Sequence, residues 1–241
     1  MLPLKDLNPT RRTPYVTYGL IALNIVIFLW EQLFSVADLQ GIFLRLSVVP
    51  ATVAQDPFTL ETTLDFVRSM FFHGGWAHLL GNMLYLWLFG DNIEDRFGAI
   101  LYIGIYFISG FAASIAQILV DPNSPIPLIG ASGAIAGVLG SYLILFPGVR
   151  VRGIIFLGIF TRSAEWPAWA VLGLWFGVQL LNGVASLGVA IGASGGVAFF
   201  AHIGGFVMGV VMTWFLMRLI PQPPREARRE MLYERAQRYR Y

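Results

Sequence analysis

Ser132 and His202 of this 241-residue chain are a serine and a histidine, types that could together perform nucleophilic acyl transfer, and each lies inside an apolar run. Ser132 stands in Gly130-Ala131-Ser132-Gly133 and opens a run that ends near Phe146. His202 stands in Phe199-Phe200-Ala201-His202-Ile203-Gly204-Gly205. A serine hydroxyl attacks a carbonyl when an adjacent base takes its proton, and imidazole is the commonest such base. An ionisable side chain at membrane depth is costly and marks a functional site by default. His78 and Asn82 extend the pair. Spaced i and i+4, they share one helix face, and both can donate hydrogen bonds to a developing oxyanion.

Other chemistries are excluded by what is missing. The runs around Ser132 and His202 hold no Asp or Glu, so a Ser–His dyad is expected rather than a triad with a carboxylate. Position 134 is Ala, which rules out the Gly-x-Ser-x-Gly nucleophile elbow. There is no His-Glu-x-x-His and no cysteine, hence no zinc motif of that type, no thiolate nucleophile and no disulfide. No metal or cofactor is expected, and no nucleic-acid partner. The serine motif cannot identify the nucleophile by itself, because Gly-Ala-Ser-Gly recurs at 192–195; Ser194 is read as loop, in a glycine-rich 183–196 segment that would cap the site.

The elements that must position these groups are membrane helices. Charged residues make up 12% of the chain, about half the roughly 25% usual in soluble domains. Six candidate spans follow from the apolar runs, at about 15–34, 76–90, 99–119, 132–146, 167–183 and 197–220. The expectation is an all-α polytopic membrane protein, a six-transmembrane helical bundle with an interfacial first outer loop. Fourteen Lys and Arg fall in the end segments and alternate loops on one side, against Arg45 and Arg68 on the other. That asymmetry puts both termini in the cytoplasm. Residues 1–14 are then a cytoplasmic N-terminal segment, 15–220 the membrane core, and 221–241 a cytoplasmic tail of mixed Arg and Glu, read as a solvated helix near anionic lipid.

Depth brings the polar groups together. The fourth run, from Ser132 to Phe146, makes about 22 Å of helix against a hydrocarbon core of about 30 Å. Ser132 therefore lies below the outer surface at a helix N-terminus, behind the Pro122, Pro125 and Pro127 segment that cannot be helical throughout. His202 is six residues into the sixth run, at a depth of roughly 6–9 Å. Gly133, Ala136, Gly137 and Gly140 on one run and Gly205 and Gly209 on the other allow the two axes to approach closely.

At these residues the chain resembles the rhomboid family of intramembrane serine proteases. His73-Gly74-Gly75-Trp76-Ala77-His78-Leu79-Leu80-Gly81-Asn82, continued by Leu88-Phe89-Gly90-Asp91-Asn92-Ile93-Glu94, is similar to the family's second-span signature. Gly130-Ala131-Ser132-Gly133 and Ala201-His202 with Gly205 and Gly209 look like its fourth- and sixth-span motifs. The resemblance covers roughly residues 15–220. It implies that Ser132 is the nucleophile and His202 the base, with His78, Asn82 and the Ser132 amide as the oxyanion site. It further implies transmembrane proteins as substrates and the bilayer as surroundings. The charge asymmetry suits a bacterial plasma membrane, with the site opening to the outer side. Many members carry an aromatic residue one turn after the serine, against the histidine. Here that residue is Ala136, which leaves Phe199 and Phe200 as candidates to hold the His202 ring. Val67-Arg68 stands nearest to the family's Trp-Arg pair in the first outer loop, and His73 reads as an interfacial structural residue. The alternative is a catalytically silent rhomboid-like binder or escort of membrane proteins.

Overall fold

The computed structural model describes residues 2–53, 55–157, 160–187 and 197–220. Each of the six apolar runs is a helix: α1 (Tyr15–Glu31), α5 (Trp76–Phe97), α6 (Ala99–Val120), α7 (Ser132–Leu145), α8 (Ala168–Ser186) and α9 (Phe199–Leu219). Between α1 and α5 lie the shorter α2 (Val36–Leu46), α3 (Pro50–Val53) and α4 (Leu60–Ser69). By length and composition, α6, α8 and α9 can each cross a membrane; α1 and α7 are shorter apolar helices. The tail at 221–241, the second Gly-Ala-Ser-Gly at 192–195 and most of the expected cap lie outside the described residues.

Helix boundaries follow local chemistry. Gly98 separates α5 from α6 with φ of 80°, in the left-handed region that side chains resist, and its N–H reaches the Glu94 carbonyl at 2.7 Å. The start of α1 is capped from another helix. Glu94 of α5 accepts from the Val16 N–H at 2.9 Å, and from the Thr17 N–H and hydroxyl at 2.8 Å each. These amides have no partner within their own helix, so one carboxylate both completes α1 and fixes it to α5.

Helix α7 is the centre. Every residue from Gly133 to Tyr142 is buried, as expected of a helix apolar on all faces. Its seam with α9 is made by backbone. A Cβ on Gly209 would run into the Gly137 carbonyl, one on Gly205 into the Gly133 carbonyl, and one on Gly140 into the Phe206 carbonyl. Ser141 closes the seam lower down, donating to Gly137 O at 2.9 Å and standing 3.2 Å from Gly209 O. Without a hydrophobic driving force between helices in lipid, such close packing carries association.

The fold is mostly helical rather than all-α. β1 (Leu2–Asp6), β2 (Arg150–Leu157) and β3 (Phe160–Pro167) form an antiparallel sheet in the order β1-β2-β3. Arg150 pairs with Pro167, and Leu2 with Ile154. The sheet left little trace in the sequence for two reasons. Residues 154–157 form an unbroken apolar run without period-two alternation. β1 is only five residues long and finds its partner some 150 residues away. Asp6 then ties β1 to the bundle, its Oδ2 accepting from the Tyr142 hydroxyl at 2.8 Å and from Asn92 Nδ2 at 2.9 Å.

That tie is pH-sensitive. Burial pushes the Asp6 carboxyl up to about 6, against the downward pull of hydrogen bonds from Tyr142 and Asn92 and the charge of Lys5. The folded-state value lies above the reference of 3.8, so ionisation is harder in the folded protein. Its contribution to stability is full below about 4 and is lost as pH rises through about 6. Asp6→Asn should therefore flatten the fall in thermal stability across this window. Thermal unfolding at several pH values checks it, and parallel curves for the two proteins would refute it.

Candidate active site

Ser132 is the first residue of α7, and its hydroxyl donates to His202 Nε2 at 2.8 Å. The glycine seam makes this possible, because the two axes are as close as backbone allows. The segment before Ser132 is shaped by Gly130. Its φ of 123° suits glycine, and its N–H donates to Ser69 O at 2.8 Å. A Cβ there would also stand 2.6 Å from His78 Cε1 and Nε2 and 3.6 Å from Ser132 Oγ. The His78 ring edge and the serine hydroxyl thus face the same point of backbone.

Asn82 is buried one turn further along α5, with Nδ2 donating to His73 Nε2 at 2.9 Å. That bond uses one of the two amide hydrogens. His73 can accept at Nε2 because its Nδ1–H donates to Phe71 O at 3.1 Å, and its backbone N–H donates to the buried Glu31 carboxylate at 3.1 Å. His73, which reads from sequence as merely structural, holds the Asn82 side chain. Its ring also lies edge-on to His78, with centroids 5.1 Å apart.

The other face of His202 belongs to α8. Gln179 Oε1 lies 2.8 Å from His202 Nδ1, and the Trp175 ring lies 5.9 Å from the imidazole, centroid to centroid. Gln179 and Trp175 are one turn apart on one helix face. They stand where Phe199 and Phe200 were expected; among the described residues, neither phenylalanine makes a ring contact with His202. The signal for Gln179 in the sequence was a polar amide, shared with Asn182, in a largely apolar run. A cavity of about 40 Å³ opens beside Ser132, bounded by Ser69, Ala113, Ser114, Ala198 and Ala201. It is large enough for water and has hydroxyls to hold it. Arg68 is occupied elsewhere, by Glu61 at 2.5 Å and Asp65 at 3.0 Å.

Fold and site together define an integral membrane protein of helices that holds a hydrogen-bonded serine and histidine on two tightly packed helices. The Rhomboid domain family model matches residues 61–219, and the chain belongs to the rhomboid family. It is 28% identical over 212 residues to Rhomboid protein 1, mitochondrial, of Saccharomyces cerevisiae, covering 85% of this chain and 54% of the yeast protein. It is 26% identical over 214 residues to Rhomboid protease AarA of Providencia stuartii, covering 82% of this chain and 71% of that protease. With Rhomboid-like protein 11, chloroplastic, of Arabidopsis thaliana it shares 23% over 222 residues, which is 89% of this chain and 70% of the plant protein. The chain thus spans about half the length of the yeast relative and about seven tenths of the other two.

Proposed function

We propose that this protein is an intramembrane serine endopeptidase that cleaves transmembrane segments of other membrane proteins with a Ser132–His202 dyad. The observation that carries the reading is the 2.8 Å hydrogen bond from the Ser132 hydroxyl to His202 Nε2. In the proposed topology α1, α5, α6, α7, α8 and α9 make six crossings within a core at 15–220. Residues 1–14 and 221–241 face the cytoplasm, and the site opens to the outer side of a bacterial plasma membrane. The distribution of Lys and Arg supports this orientation.

In the proposed reaction a substrate helix unwinds beside α5 and α8, near Trp175 and Phe176. Ser132 Oγ attacks the scissile carbonyl as His202 Nε2 takes its proton. The oxyanion is held by the Ser132 amide at the start of α7, with His78 and Asn82 donating from α5. Collapse breaks the C–N bond, and His202 returns the proton to the leaving amine. Water, for which the cavity beside Ser132 has room, then releases the acyl group with His202 again as base.

A serine-directed fluorophosphonate on the purified protein tests the class. Labelling of Ser132, lost in Ser132→Ala, is the expected result. No labelling under conditions where a control hydrolase reacts would favour a silent binder. Asn82→Ala removes one oxyanion donor and should lower kcat by about 10²–10³ while Ser132 still labels. Unchanged turnover in that variant would remove Asn82 from the oxyanion site.

A further inference from the structure

We infer that Gln179 is the positioning residue of His202: it fixes the ring in the tautomer with hydrogen on Nδ1, leaving the Nε2 lone pair for Ser132. The inference rests on the proposed dyad and adds a third member to it, from a different helix. A dyad needs its base in one tautomer, since a hydrogen on Nε2 would face the serine and block proton transfer. In an active site with a carboxylate, that carboxylate makes the choice. Here α6, α7 and α8 carry no Asp, Glu, Lys, Arg or His, and the titratable neighbour from α5 is His78. Gln179 Oε1, 2.8 Å from Nδ1, is the group in position to choose.

The amide itself is oriented. Gln179 Nε2 lies 3.5 Å from the Trp175 carbonyl, one turn back on α8. Turned the other way, the amide would set Oε1 against that carbonyl and N–H against His202. With Oε1 toward the imidazole, Nδ1 is the ring nitrogen that carries the hydrogen. Burial reinforces the arrangement. Gln179 is buried on a helix with many exposed apolar residues, where an unpaired amide oxygen is costly. Trp175 adds a packing surface for the ring on the same face of α8. The aromatic one turn after the serine, replaced here by Ala136, is thus substituted by a polar and an aromatic group from α8.

Two variants of the full chain in lipid vesicles separate positioning from structure. Gln179→Met keeps the length and volume but loses the acceptor; Gln179→Glu keeps an acceptor. The readouts are turnover of a fluorogenic transmembrane peptide and ¹⁵N NMR of histidine-labelled protein, with His202 assigned by its loss in His202→Gln. For Gln179→Met the expected result is a fall in kcat of about 10–100-fold, the size of effect seen when a partner that orients a metal-ligating histidine is lost, with KM nearly unchanged. Its His202 signal should change from the Nδ1–H form to a mixture. Gln179→Glu should restore most of the turnover and the single tautomer. Wild-type kcat and tautomer in Gln179→Met would overturn the inference. If Gln179→Met does not fold, Gln179→Asn, one methylene too short, takes its place with the same two outcomes. Failure of the wild type to react with fluorophosphonate would instead refute the proposed dyad. The tautomer measurement still decides the role of Gln179 in that case.

Discussion

Ser132→Ala is expected to abolish turnover completely and to leave the fold in place. The substitution removes one oxygen at a half-buried position at the first residue of α7. One neutral hydrogen bond disappears, worth about 0.5–1.5 kcal/mol net, so thermal unfolding should shift only slightly. Catalysis is a different matter. Without Oγ no acyl-enzyme can form, and His202 has no proton to take. What survives in hydrolases stripped of their nucleophile is at most about 10³–10⁴ over water, which is undetectable for a peptide bond on a laboratory timescale. Cleavage of a transmembrane reporter and fluorophosphonate labelling should vanish together. Full activity in Ser132→Ala with loss in Ser194→Ala would move the nucleophile to the second Gly-Ala-Ser-Gly.

Gly209→Val should be nearly as damaging, although residue 209 takes no part in the chemistry. Gly209 lies two turns below His202, roughly 10 Å along α9. A Cβ there meets Gly137 backbone, its Cα and carbonyl, and backbone cannot rotate aside. The helices must part, or α9 must shift along α7. Overpacking of this kind costs about 1–3 kcal/mol and sometimes more. The catalytic effect is larger, because a 1 Å misplacement of reacting groups can cost about 10²-fold in rate. The expected outcome is loss of at least that factor in kcat together with a lowered unfolding temperature. Gly104→Val is the control. It sits on α6, where an added Cβ meets open space, and should behave as wild type. Equal turnover in the Gly209 and Gly104 variants would show that the seam does not set the distance between Ser132 and His202.

The six apolar runs could be read as helices because each stays largely apolar over about four turns or more, and the helix ends fell within a few residues of the expected limits, except that α5 runs on to Phe97. Ser132 and His202 could be found because polar groups are conspicuous in apolar surroundings. The approach of their helices was visible in Gly133, Gly137, Gly205 and Gly209, whose spacing puts bare backbone on facing sides. Other features depend on partners that sequence does not reveal. The sheet needs β1 to meet β2 across most of the chain. Gln179 is one of two amides on α8, and only the packing of α8 on α9 brings it to His202. His73 acquires its role from Asn82, nine residues on and around the start of a helix. Glu94 resembles an ordinary charged helix end until the first turn of α1 arrives to use it.

The burial of α7 from Gly133 to Tyr142 has a consequence for how the protein is made. A helix of 14 residues is about 21 Å long, too short to hold itself across a bilayer core of about 30 Å. Its lasting seat is the wall of neighbours around it, and α9 is synthesised more than fifty residues later. During translation the serine therefore exists without its base and without the glycine seam that sets their distance. On the proposed dyad the growing chain would gain activity only once α9 has been inserted and has found α7, so that membrane assembly would itself be the activation step.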